Sequence, residues 1–272
     1  MNYPPWLRHM VRPEKDHVLI VADWSQQEIY LAAALSGDLE LRDALLTGDV
    51  YLALAKMADA VPQDATKKSH PTQRQAYKST QLGVGYGMGA LALGKRIFLD
   101  QPPGANTDFE ECMRTAVDIL RWHKRVFRVY WRFVDEEVMF ARKGWIRARD
   151  GWTQFADQNS KFTRLQNFPM QANGAVILRE AVKLLAQHNS IELVCTLHDS
   201  IMIYCHVDDA VVHENILRRC MEQATANVML GVQMPMKIPV EVKTFTHETG
   251  YTDERGSAMY GRVMSILKEA TK

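Results

Sequence analysis

Residues His17 to Gly37 read HVLIVADWSQQEIYLAAALSG. Val18 to Ala22 is an unbroken, partly β-branched apolar run, the pattern of a strand buried on both faces, and it stops at a single acid, Asp23. Ser25-Gln-Gln-Glu28 fits a capping box, which predicts a helix start at that point. Ile29, Ala32, Ala33 and Leu35 supply the helix with an apolar face, and Gly37 supplies its stop. An acid at the junction of a buried strand and a helix is well placed for a metal or a phosphate. It equally suits a cap or a turn.

The surrounding chain bounds the possibilities. With 272 residues, 47% of them hydrophobic, it can bury a full core as one large domain or two interleaved subdomains. A formal net charge of +1 gives no bulk field that would attract nucleic acid, so any such binding requires local clustering. The 4 cysteines (Cys112, Cys195, Cys205, Cys220) show neither CxxC nor zinc spacing, which predicts reduced thiols and no disulfide. No leader-type apolar segment and no membrane-length run is present. The expectation is a soluble, unexported protein, cytoplasmic in a bacterial or phage-infected cell, with no membrane partner.

Tyr3 to Trp6 reads as an extended lead-in and Leu7 to Val11 as a short strand before a turn at Pro13 to Asp16. Leu39 to Leu46 and Asp49 to Asp59 have helical spacing, separated by Thr47-Gly48; Val61 to His70 reads as loop. Thr72 to Gly89, TQRQAYKSTQLGVGYGMG, begins with a second capping-box candidate, Thr72 to Gln75, with Pro71 just outside the helix. Arg74, Lys78, Gln81 or Leu82, and Gly85 or Tyr86 then share one face. Two cations one turn apart, followed by an apolar and an aromatic side chain, would serve a triphosphate and a base. Glycines at 83, 85 and 87 would leave the face bare for something flat. A solvated basic face on a glycine-weakened helix fits the same residues. A Walker loop does not, because the GxxxxGK[ST] order is absent.

Asp108 to Arg142 reads as one or two long helices. Their core stripe is Leu120, Phe127, Tyr130 or Trp131, Val134 and Val138; Arg121, Arg125, Arg128 and Arg132 form a basic stripe that suits a phosphate backbone or merely an exposed face. Gly144 to Gly151 reads as an edge strand or hairpin, followed by loop to Lys161. Asn167-Phe-Pro-Met-Gln171 leads into an apolar helix over Gly174 to Gln187. Ile191 to Cys205 reads as a hairpin with His198-Asp199 at its tip, which is not a favoured turn dipeptide. A helix over Asp208 to Val228, a strand over Met236 to Thr244 and a polar tail with helical potential over Gly256 to Lys272 complete the chain.

In order, these pieces resemble the polymerase domain of the family A (DNA polymerase I type) DNA polymerases. Asp23-Trp-Ser-Gln-Gln-Glu28 is similar to motif A, usually DYSQIE; Arg74 to Gly87 to motif B, RxxxKxxxFGxxYG; and Leu197-His198-Asp199-Ser200 to motif C, VHDE. Asn167, Pro169 and Gln171 match the NxPxQG segment. The resemblance implies an α+β fold. Its palm, an antiparallel sheet flanked by helices, would comprise 1–35 and 161–250, its helical fingers insertion 36–160, and a C-terminal extension 251–272.

It also implies template-directed DNA polymerisation with Asp23, Asp199 and Lys78 in the catalytic set. Asp23, Asp199 and main-chain oxygen at Trp24 would hold two Mg²⁺ ions about 3.5–4 Å apart, with Mn²⁺ as a substitute. Arg74 and Lys78 would meet the nucleotide phosphates, joined in the nucleotide site by Leu82, Tyr86, Gln26, Glu28 and Tyr51. Glu28 would exclude a 2′-hydroxyl, and Gln171, His198 and Asn167 would touch primer or template. The implied partners are primed DNA and dNTPs.

Several positions depart from the family pattern. Leu82 replaces the aromatic that stacks on the incoming nucleotide, a loss of the order of ~1 kcal/mol. Tyr51 stands where a phosphate-contacting His is usual, Tyr30 where motif A carries Arg, and Ser200 where motif C carries Glu. The thumb, the TGRLSSS segment and a proofreading exonuclease have no counterpart here, so the expectation is a split enzyme whose thumb comes from a second polypeptide, or a compact variant that grips DNA weakly. The alternatives are a non-catalytic nucleic-acid-binding accessory subunit that keeps the fold, which Leu82 and Ser200 favour, and template-independent nucleotide addition.

Overall fold

The computed structural model describes residues 4–101 and 108–270, so Tyr3 and the last two residues of the expected tail lie outside the described residues. In chain order the elements are α1 (Pro5–Arg8), β1 (His17–Trp24), α2 (Gln27–Ser36), α3 (Leu39–Leu46), α4 (Val50–Met57), α5 (Pro71–Gly85), α6 (Ala90–Leu99), α7 (Phe109–Val126) and α8 (Arg128–Ala141). The hairpin strands β2 (Trp145–Arg147) and β3 (Thr153–Phe155) follow, then α9 (Phe162–Leu185), β4 (Glu192–Leu197), β5 (Ser200–His206), α10 (Ala210–Met229), β6 (Val240–Phe245) and α11 (Glu254–Ala270). This is an α+β chain. No helix among the described residues is long and apolar enough to cross a membrane.

The elements form two compact units. The first holds 1–27, 177–228 and 237–272; the second holds 28–176 and 229–236. These divisions differ from the ones the sequence suggested, since α2 and the first half of α9 group with the helical unit and the C-terminal segment groups with the sheet.

The first unit is built on an antiparallel sheet of order β4-β5-β1-β6. Side chains alternate along β1, so Val18, Ile20, Ala22 and Trp24 share one face and are all buried. The Trp24 indole N–H donates to Thr225 Oγ1 on α10 (3.0 Å), and α10 buries Leu217, Met221, Ala224 and Val228 at helical spacing. On the opposite face Leu19 packs with Met202, Phe245 and Tyr251. Val21 and Asp23 on that face are only half-buried, so β1 is not the strand closed on both sides that its apolar run suggested.

Three other readings change. Residues 5–8 are helical, because Pro5 opens a helix at the position where its missing N–H costs nothing, and the expected strand over Leu7 to Val11 is absent. α9 begins at Phe162, well before Gly174, and carries Pro169 inside it; Asn173 Nδ2 donates to Pro169 O (2.7 Å). The expected loop up to Lys161 contains β3, the second strand of a hairpin with β2. The tail does form a helix, and Gly256 explains how it docks. A Cβ there would stand 2.3 Å from Trp6 N, so only glycine lets α11 lie against α1.

The second unit is threaded by buried polar groups. Asp38 Oδ1 caps α3 by accepting from Leu41 N (3.1 Å), while Oδ2 accepts from Tyr130 N at the start of α8 (3.0 Å). His123 on α7 is fully enclosed. Its Nδ1 accepts from the Trp131 indole N–H (3.0 Å), so Nε2 carries the proton and donates to Gln81 Oε1 on α5 (3.1 Å). Burial, assisted by Lys124, pushes the His123 pKa down to about 3. The unfolded chain therefore takes up this proton below about pH 6.5 and the folded chain does not. The stability that neutral His123 contributes is full above that pH and is lost as pH falls toward 3, at roughly 1.4 kcal/mol per pH unit. Denaturant midpoints measured across this range should fall more steeply for the wild-type chain than for His123→Gln.

Candidate functional site

Strand register assembles the first cluster. Across β1, Asp23 faces Ser200 on β5 and Glu241 on β6, in one row on the half-open face of the sheet. The next row is Val21, Met202 and Lys243. Asp199 precedes β5 in the two-residue tip that joins it to β4, and its main-chain oxygen accepts from Trp24 N (3.1 Å). Two acids far apart in sequence thus share one end of the sheet. Both line a cavity of about 1010 Å³ in this unit, with Glu241 and Lys243 also on its wall. His198 at the tip has a left-handed φ of 56° and its Nδ1 is 3.4 Å from Asp199 Oδ1. For a residue with a side chain this backbone is uncommon, in keeping with a tip that lacks a preferred turn glycine.

The electrostatics of this row are unfavourable as it stands. Burial raises the Asp23 pKa first, the charges of Asp199 and Glu241 raise it further, and Lys243 opposes them. Like charges directly across a sheet cost stability, and a bound cation would relieve the cost. Among the described residues no group of three or more His, Cys, Asp or Glu forms a metal cage. Mg²⁺ commonly binds through one or two carboxylates together with water and substrate phosphates, so the pair Asp23 and Asp199 suits it chemically.

Glu241 escaped the sequence reading because its role depends on the register of β6, which nothing local encodes. Ser25 Oγ donates to Glu241 Oε1 (2.5 Å) and Ser25 N donates to Pro239 O (2.9 Å), so the N–H that the expected capping box would offer to Glu28 is already used, and α2 starts at Gln27. Gln26, between them, is left-handed (φ 57°) with a buried Oε1 that has no hydrogen-bond partner.

A second cluster lies within the helical unit. Glu28 Oε1 accepts from the Tyr86 hydroxyl (2.8 Å) and from Gln171 Nε2, which also donates to Tyr86 Oη (3.0 Å). Asn167 adjoins the same hydroxyl. Four residues singled out from three separate stretches therefore converge. Partial burial and the Glu28 carboxylate push the Tyr86 pKa up to about 12, so the phenol remains a donor.

Further along the same unit, Arg74 Nε donates to Asp49 Oδ2 (2.7 Å), and Asp49 also caps α4. The Arg74 guanidinium and the Lys78 ammonium sit 5.4 and 5.9 Å from the centroid of the buried Tyr51 ring. Leu82 and Tyr86 are exposed, whereas Gln81 is turned inward to His123. Asp49 was not foreseen as the partner of Arg74, since 25 residues separate them.

The helix start and the glycines also differ from expectation. α5 begins with Pro71 inside its first turn and without a side-chain cap, so the second capping box is absent as well; Gln75 Nε2 donates to Asp100 and Ser79 instead. A Cβ on Gly83 would strike Met88, and one on Gly87, which has φ +73°, would strike Thr163. Those two glycines serve close packing. Gly85 alone faces open space.

Comparison with known proteins agrees with this arrangement. The sequence model of DNA polymerase family A matches residues 4–248. The chain is 25% identical over 256 residues to DNA polymerase I of Aquifex aeolicus, covering 89% of this chain and 41% of that protein. It is 26% identical over 244 residues to the thermostable DNA polymerase I of Thermus aquaticus, covering 87% and 27%. The chain thus spans less than half the length of these relatives. The POL domain of Pol1 from M. smegmatis, solved in complex with DNA primer-template and dNTP, superposes with a TM-score of 0.70 at 22% identity, over 92% of this chain and 42% of that one. The chain belongs to DNA polymerase family A.

Proposed function

We propose that this chain performs template-directed DNA synthesis, transferring a nucleotide from a dNTP to a primer 3′-hydroxyl, with the sheet unit as palm and the helical unit as fingers. The observation that carries the proposal is the pairing of Asp23 and Asp199 at one end of a sheet, with surplus negative charge that calls for a divalent cation.

In this reading Asp23 and Asp199, with main-chain oxygen at Trp24, hold Mg²⁺. When bound, the metal supplies acidity to the attacking hydroxyl and charge neutralisation to the triphosphate. Lys243 moderates the charge of the row. Arg74 exchanges Asp49 for phosphate oxygen, which suits a guanidinium already oriented by a carboxylate. Lys78 acts as a second, mobile charge. Tyr86, fixed by Glu28 and Gln171, offers its ring beside Leu82 to the base and sugar, with Glu28 barring a 2′-hydroxyl. His198, Gln171 and Asn167 contact primer or template, and Gln26 lies with the nucleotide set.

Mg²⁺-dependent incorporation on a primed template should be present in the wild-type chain, and Asp199→Ala should reduce it by at least about 10²–10³-fold, the scale of losing a group that stabilises developing charge. Incorporation that survives the substitution contradicts the proposal. Product length in the same assay tests whether a second polypeptide must supply a thumb, since unaided extension over long templates removes that requirement.

A second prediction concerns stability. Because the folded-state pKa of Asp23 is raised, the protonated form is favoured by folding; that stabilisation is present at low pH and lost as pH rises through the raised value. At neutral pH with chelator, Asp23→Asn should raise Tm, with each kcal/mol relieved worth about 2–4 °C. Mg²⁺ should raise the wild-type Tm and should move that of Asp23→Asn less. Thermal unfolding with and without Mg²⁺ checks both.

A further inference from the structure

The proposed chemistry makes no use of the hairpin that β2 and β3 form in the helical unit. Ile146 and Ala148 point to one side and are buried, while Trp145 and Arg147 point to the other, opposite Phe155 and Thr153 on β3. On that outer side Trp145 is 40% exposed and Phe155 81% exposed. Phe140, near the end of α8 and 55% exposed, sets its ring edge-on to Trp145 with the centroids 6.0 Å apart. Scattered exposed apolar side chains need no explanation, but three adjoining aromatic rings are the kind of patch that marks a binding surface.

Two cations frame the rings. The Arg147 guanidinium lies 4.5 Å from the Trp145 centroid and its Nε donates to Thr153 Oγ1 (3.1 Å), so the charge is held across the hairpin toward β3. Lys143 Nζ lies 5.7 Å from the Phe140 centroid. Neither cation has an ion pair among the described residues.

The main chain supplies an independent observation. Ala148 N donates to Trp152 O (2.8 Å) and Ala156 N to Gly144 O (3.0 Å). The alternation of an antiparallel ladder then turns the N–H and C=O groups of Trp145, Arg147, Thr153 and Phe155 outward, away from the partner strand. The sheet has only these two strands and α8 packs against β2, which leaves β3 as its open edge. Among the described residues no hydrogen bond takes up the outward groups of Thr153 and Phe155.

We infer that β3 binds an extended acidic peptide segment of another protein as an added strand, with an apolar side chain of the peptide against Phe155 and Trp145 and a carboxylate on Arg147. In this mode main-chain pairing supplies affinity and alternate side chains supply specificity. A second copy of the chain would present Thr153-Gln154-Phe155, which holds no acid for Arg147. A nucleic-acid strand matches the open edge less well, since it has no strand-spaced amide groups and two cations are too few to track its phosphates.

Selection of displayed random peptides on the full chain, followed by fluorescence anisotropy of the enriched peptides, tests the inference. Enriched sequences should carry an acid and an apolar residue on the same side of an extended strand, and should bind Phe155→Ser and Arg147→Glu about ten-fold or more weakly than the wild type. Thr153→Pro should weaken them as much while leaving thermal unfolding unchanged, because an outward N–H on an edge strand can be given up. The two exposed side-chain variants decide the matter if the proline variant fails to fold. A selection that enriches no peptide, or peptides that bind the wild type, Phe155→Ser and Arg147→Glu equally, overturns the inference. Oligothymidine that displaces the peptides and itself loses affinity in the same variants overturns it in favour of a nucleic-acid surface. A dimer in sedimentation velocity that Phe155→Ser abolishes overturns it in favour of self-association.

Discussion

The register of β1 is the constraint on which the sheet unit depends, because the apolar packing that sets it also forces carboxylates together. The register of β1 against β5 and β6 puts Asp23 opposite Ser200 and Glu241, and the short β4–β5 tip adds Asp199. A one-residue slip of β1 would turn Asp23 into the face that buries Trp24 and bring Leu19 out of its cluster with Met202, Phe245 and Tyr251. The same hydrophobic pattern that stabilises the sheet therefore holds the acids together. Their mutual cost is borne by the packing of α10 on one side and of Tyr251 on the other.

The helical unit depends instead on two buried polar side chains, Asp38 and His123, each with both of its polar atoms partnered. Asp38 ties α3 to α8 through both oxygens, and His123 links α5, α7 and α8 as a neutral imidazole. Such links are directional and cost much when broken, so they hold helices in one arrangement where apolar contact alone would tolerate several. Their effect reaches the surface. The orientation of Trp131 on α8 and the inward turn of Gln81, which leaves Leu82 exposed, both follow from His123.

The two unformed capping boxes show why local signals misled. At Ser25 the hydroxyl finds Glu241 and at Glu28 the carboxylate finds Tyr86 and Gln171, so side chains suited to capping are drawn into tertiary bonds. Asp38, Asp49 and Asp108 do cap their helices, yet Asp38 and Asp49 each hold a second partner as well. Pro5 and Pro169 erred in the other direction. Both read as lying outside helices, Pro5 in an extended lead-in and Pro169 ahead of a helix over Gly174 to Gln187, but a first turn has no use for the missing N–H, and a long helix packed in place can lose one ladder bond.

What the amino-acid order determined unaided was the set of short-range patterns: the apolar run ending at Asp23, the cation spacing of α5, the β4–β5 hairpin with its acid, and the family to which their sequence belongs. These are legible because strand and helix periods and motif spacing are local properties of a chain. Only the tertiary structure decided that Glu241 stands beside Asp23, that Asp49 holds Arg74, that Gly83 and Gly87 admit Met88 and Thr163, and that α11 closes on α1. Each of these depends on register or on contact between distant segments. Such pairings are selected by burial across the whole chain, and no window of neighbouring residues contains them.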